Sequence, residues 1–85
     1  RGDVRLPKVF GDSMVLQQQS QAAVWGWADA DEEVAVSLGE TKAATKAGAD
    51  GKWLVKIQTP AAGGPHTLTV KGKNEIALKD VYVGE

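Results

Sequence analysis

The sequence predicts an all-β protein, an antiparallel β-sandwich of about seven to eight short strands. Three observations predict it. Apolar residues recur with a period of two and draw no convincing helical stripe. Clusters of Gly, Pro, Asn and Asp break these runs at roughly 8–12-residue intervals. The chain has 85 residues, enough for one core and not for a second. Residues 1–85 therefore read as a single domain.

The elements follow in order. Leu6-Pro7 is extended, Val9-Phe10 follows, Gly11-Asp12 turns, and Met14-Val15-Leu16-Gln17 makes a short strand. Ala22 to Ala28 is a strand apolar on both faces, with Ala23, Trp25 and Trp27 on one side and Ala22, Val24, Gly26 and Ala28 on the other. Val34, Val36 and Leu38 share a face of the next run, and Trp53, Val55 and Ile57 share one later, with Lys56 and Gln58 opposite. Leu68 and Val70 alternate with polar residues in Thr67–Lys71, and Ile76 to Val83 closes the chain in the same style. Between these lie turns at Asp29–Glu32, Gly39-Glu40, Gly48–Gly51, Ala62-Gly63-Gly64-Pro65 and Gly72-Lys73-Asn74. Thr41 to Ala47 is rich in Ala and Lys, which favour helix, but glycines at 39 and 48 leave it too short to be a stable helix. It reads as an exposed edge strand whose lysines discourage edge-to-edge pairing.

Charge excludes one class of partner. Ten basic and eleven acidic residues give a net charge of −1, with the lysines interleaved among acids, so no concentrated basic surface exists to hold nucleic acid. No apolar run approaches the roughly 20 residues that span a bilayer. Arg1-Gly2-Asp3-Val4 has none of the apolar stretch of a signal peptide. With no cysteine, disulfides, a thiol nucleophile and thiolate metal ligands are excluded.

Several short stretches look chemical and read better as structure. Val9-Phe10-Gly11-Asp12-Ser13-Met14 resembles the nucleophile block of the SGNH (GDSL-type) hydrolases. That chemistry needs a base within hydrogen-bond reach and oxyanion donors, on a parallel sheet with helical crossovers. Here the single histidine, His66, has Gly63 rather than Asp three residues before it. Gly11-Asp12-Ser13 is therefore a turn. His66 itself is a strand residue, because a metal site needs three or four convergent ligands. The acids Asp29, Asp31, Glu32 and Glu33 lack the spacing and glycine of a calcium loop. Arg1-Gly2-Asp3, an adhesion tripeptide elsewhere, reads as chance at a frayed end. The sequence thus predicts no catalytic residue, no metal and no cofactor.

Taken together, several segments resemble one family. Leu6-Pro7-Lys8-Val9-Phe10-Gly11-Asp12-Ser13-Met14-Val15-Leu16-Gln17-Gln18 is similar to the opening of the sialate O-acetylesterases. Ala23-Val24-Trp25-Gly26-Trp27-Ala28, an acidic turn and Val34-Ala35-Val36 resemble the next block. Ala49-Asp50-Gly51-Lys52-Trp53, Gly63-Gly64-Pro65-His66-Thr67-Leu68-Thr69-Val70 and Leu78-Lys79-Asp80-Val81-Tyr82-Val83-Gly84-Glu85 complete it. The family more often carries Tyr or Phe where His66 stands. The resemblance implies an immunoglobulin-like, N-terminal accessory domain whose Asp80–Glu85 strand runs into a catalytic SGNH-like domain. It implies a nucleophile in a Gly-Gln-Ser-Asn-Met block beyond Glu85, so that none of the family's catalytic residues maps onto this chain. It further implies a bacterial, periplasmic or secreted parent that removes O-acetyl groups from sialic acid or related sugars, and whose esterase domain is this domain's partner.

Trp25 and Trp27 are the candidate binding residues. Alternation forces both indoles onto one face, and the small residues opposite suit close packing between sheets, so the indole face is expected to lie away from the core, covered incompletely by the Leu6–Leu16 segment or seated under the esterase domain. Three uses stay open: core packing of at least one indole, a seat for the esterase domain, or a platform for stacking carbohydrate. Trp53 is the better core tryptophan.

Overall fold

In the computed structural model, residues 4–8, 10–11, 14–17, 20–60 and 62–84 are described; Arg1-Gly2-Asp3 and Asp12-Ser13 lie outside them. Each alternating run forms a strand: β1 Val15–Gln17, β2 Gln21–Trp27, β3 Glu33–Leu38, β4 Thr41–Lys46, β5 Lys52–Gln58, β6 Gly63–Lys71 and β7 Glu75–Gly84. The described residues contain no helix. Strands order as β1-β7-β6-β3-β4 in one sheet and β2-β5 in the other. The protein is an all-β sandwich.

The core is the set of inward residues that the alternation brings together. Val34, Val36 and Leu38 of β3, Leu68 and Val70 of β6 and Val81 and Val83 of β7 face Val24 of β2 and Trp53, Val55 and Ile57 of β5, all buried. Each such side chain contributes about 1.5–3 kcal/mol by leaving water. Among the described residues Thr59 is the buried polar one, and its hydroxyl satisfies Ser20 twice, accepting from Ser20 N at 2.9 Å and donating to Ser20 O at 3.0 Å.

β4 is one edge of the larger sheet and β1 the other, with Lys42 and Lys46 of β4 exposed. The acidic turn before β3 is a clamp. Glu32 accepts from Asp29 N at 3.0 Å and from Lys73 N at 2.6 Å, while Lys73 pairs with Asp29.

Three features differ from the sequence expectations. First, the sandwich is not wholly antiparallel, because β1 pairs with β7 in parallel. The N-terminal segment crosses between sheets. Arg5 bridges to Trp27 of the small sheet, and the chain then arrives beside β7 running in the same direction. Second, Gly63-Gly64-Pro65 is not a turn but the start of β6. Proline cannot donate to a ladder and sits in strands at bulges; here the register to β7 shifts between Gly63 and His66. Third, β7 does not alternate in one phase. Asp80 adopts φ 58°, and this extra residue turns both Ile76/Leu78 and Val81/Val83 toward the core.

The two irregularities compensate. His66 to Leu68 on β6 faces Val81 to Leu78 on β7, so β7 holds one residue more there. Gly63 to His66 faces Val83 to Val81, so β6 holds one more there. Register is restored beyond both.

Candidate functional site

The site is built on β2, where alternation turns Val24 and Gly26 inward and Trp25 and Trp27 outward. Trp25 is 37% exposed and Trp27 half-buried. Gly26 has a specific steric reason. A Cβ there would stand 2.1 Å from the carbonyl oxygen of Arg5 and 3.1 Å from Cζ2 of Trp53. Only a bare backbone lets Arg5 close its two hydrogen bonds with Trp27: Arg5 N to Trp27 O at 2.9 Å and Trp27 N to Arg5 O at 3.0 Å.

The N-terminal segment therefore covers part of the indole face. Phe10 meets Trp25 edge-on, with ring centroids 4.8 Å apart and planes at 72°, a geometry the aromatic quadrupole favours. The Arg5 guanidinium lies 5.8 Å from the centroid of Trp27, within cation–π range. Across the ladder, Trp25 stands opposite Leu54, which is 55% exposed, and Trp27 opposite Lys52. These residues line a shallow groove of about 480 Å³ whose rim also carries Asp50. Asp50 already holds the turn, accepting from Lys52 N at 3.0 Å.

Trp53 faces the other way and is buried, and its indole Nε1 has no hydrogen-bond partner among the described residues. His66 is a half-buried strand residue of β6. Its Nε2 is buried without a hydrogen-bond partner among the described residues, so none of their carboxylates orients the ring through that atom. Among the described residues no three His, Asp or Glu side chains converge as metal ligands.

Phe10 supplies the partial cover expected of the Leu6–Leu16 segment; sequence reasoning overlooked Leu54 and Arg5 on the indole face, and a second apolar patch entirely. Val15 is 67% and Tyr82 45% exposed, and the parallel register sets them side by side on the outer face of the larger sheet. The signal for Leu54 and Tyr82 was present: each stands between two inward residues of its strand, Trp53/Val55 and Val81/Val83.

No family model matches this chain, and no curated protein matches it. Among solved structures it is similar to a novel carbohydrate acetylesterase from Xanthomonas citri, with 39% identity over 98% of this chain and a TM-score of 0.92. The chain spans 19% of that enzyme's length. The likeness supports a carbohydrate-esterase-related domain. It extends through both sheets, because the aligned part takes in nearly the whole fold described above.

Proposed function

We propose that this chain is a non-catalytic N-terminal accessory domain, immunoglobulin-like in topology, of a sialate O-acetylesterase-like enzyme, and that it packs on and supports the esterase domain. The observation that carries this reading is that 98% of the chain aligns with only 19% of a carbohydrate acetylesterase, at 39% identity. Most of such an enzyme, and with it room for the hydrolytic machinery, lies outside the aligned part. The segments that resemble the sialate O-acetylesterases supply the finer assignment: a bacterial parent, periplasmic or secreted, acting on O-acetylated sialic acid or related sugars.

The test is hydrolysis of a chromogenic acetyl ester. A longer protein that includes this sequence should turn the ester over, and Ser13→Ala in it should leave the rate unchanged. The 85-residue chain alone should give no turnover, since a serine without base or oxyanion donors is an alcohol. Turnover by this chain that disappears on Ser13→Ala would overturn the reading.

A second reading has one observation in its favour. The groove beside Trp25 and Trp27 carries polar groups, Asp50 and Lys52, next to an apolar floor, the mixture a carbohydrate-binding module uses to stack a ring and orient its hydroxyls. Titration with O-acetylated sialic acid decides it. A saturable change in tryptophan fluorescence supports sugar binding, and a flat response removes it.

A further inference from the structure

Among the described residues, the exposed large apolar side chains form two patches, on the outer faces of the two sheets. The indole patch on β2–β5 is the one the sequence singles out, yet it is partly occupied. Phe10 lies against Trp25, and Arg5 lies over Trp27. Its surroundings are charged as well, with Lys52 opposite Trp27 and Lys56 opposite Ala23.

The patch on β1 and β7 is different. Val15 and Tyr82 are exposed neighbours, and the Tyr82 ring lies against Gly64, where a Cβ would stand 3.0 Å from Cδ2. Exposed Gly63, Gly64 and Pro65 extend the same strip along the adjoining strand. None of these five residues is charged. Interface centres are depleted in charge and enriched in aromatic residues, and uncovered apolar surface marks interaction sites.

We propose that the seat of the catalytic domain is this Val15–Tyr82 face and not the indole face. The inference rests on the accessory-domain reading above. In a chain of that kind the polypeptide continues from β7, and Gly84 lies two residues beyond Tyr82, paired with Gln17 of β1. Two extended residues span roughly 7 Å, so a domain following β7 begins against this patch. To reach the indole face it has to pass around the sandwich to the opposite sheet. Most of the similar acetylesterase lies outside the aligned segment, which supplies ample chain for the cover. β1 gains from the same contact: it is a three-residue edge strand, and a domain laid over Val15 shields it.

The test uses the absence of cysteine from this sequence. Val15→Cys, Tyr82→Cys, Leu54→Cys and, as an exposed control, Glu40→Cys are each placed in the longer protein. Maleimide labelling at each site is followed by peptide mass. Val15→Cys and Tyr82→Cys should label at least about tenfold more slowly than Glu40→Cys, as expected for sites that react only on domain opening. Leu54→Cys should label within about threefold of the control. Val15→Cys and Tyr82→Cys labelling as fast as Glu40→Cys overturns the proposal, as does protection confined to Leu54→Cys. Acetyl-ester turnover of the same preparations scores the parent reading separately. An active enzyme with an open Val15 site loses only the docking face, whereas an inactive one loses the esterase assignment.

Discussion

Gly26→Ala sets two effects of opposite sign against each other. In a strand interior alanine is favoured over glycine by about 0.5–1 kcal/mol, through lower chain entropy in the unfolded state and better strand propensity. Against this stands a Cβ placed 2.1 Å from Arg5 O, with Trp53 Cζ2 at 3.1 Å. The N-terminal segment has to withdraw. Its two hydrogen bonds with Trp27 are worth about 1 kcal/mol each. If Val4, 2% exposed and held by Asn74, leaves with them, about 1.5–3 kcal/mol more goes. The gross loss is about 2–5 kcal/mol and the net loss about 1–4.5 kcal/mol. Urea denaturation followed by tryptophan fluorescence measures it, and for a domain of this size each kcal/mol lowers Tm by about 4–8 °C. Hydrogen exchange adds a local reading: the Trp27 amide, which donates to Arg5 O, should lose protection before the rest of β2. A variant as stable as wild type with a protected Trp27 amide refutes the steric argument and leaves only the propensity.

Three further outcomes follow from burial and backbone geometry. Trp53→Ala removes a side chain that fills the space between the sheets and should cost about 3–5 kcal/mol in urea denaturation; a melting point within a few degrees of wild type would take Trp53 out of the core. Thr59→Val should cost about 1–3 kcal/mol, because Ser20 N loses its acceptor at a buried site, and calorimetric melts that coincide would mean water replaces the hydroxyl. At Asp80 the left-handed φ of 58° tolerates Asp or Gly and penalises a β-branched residue, so Asp80→Val should lose about 1–2 kcal/mol relative to Asp80→Gly; equal midpoints would show that the β7 bulge relaxes without cost.

Where strands were regular, period-two reasoning was sufficient. β3 and β5 bury the residues their alternation selects, Val34, Val36 and Leu38 and then Trp53, Val55 and Ile57, since each side chain has only two faces to choose from. It failed at Gly63-Gly64-Pro65 and at Asp80. Local chemistry there reads as a turn or as continued alternation, and only the partner strand reveals that each irregularity offsets the other. The parallel β1–β7 pair was equally hidden, because its direction depends on the bridge of Arg5 to the other sheet and not on Val15–Gln17 themselves. At the site, alternation sufficed to group Trp25 with Trp27. Partial cover by the Leu6–Leu16 segment was expected and Phe10 provides it, whereas the placement of Arg5 over Trp27 is a long-range fact, and the exposure of Val15 and Tyr82 follows from a register no local pattern encodes.

The parallel pairing of β1 with β7 also determines how the fold bears force. When tension is applied to the start of β1 and the end of β7, parallel strands are drawn past one another lengthwise. Their hydrogen bonds, with the adjoining one from Tyr82 N to Met14 O at 3.0 Å, are then strained side by side. In an antiparallel hairpin pulled from its open end the bonds are strained one at a time, and the strands unzip. A clasp of only three residues that adds little at equilibrium thus gives this sandwich a shear-loaded joint between its terminal strands.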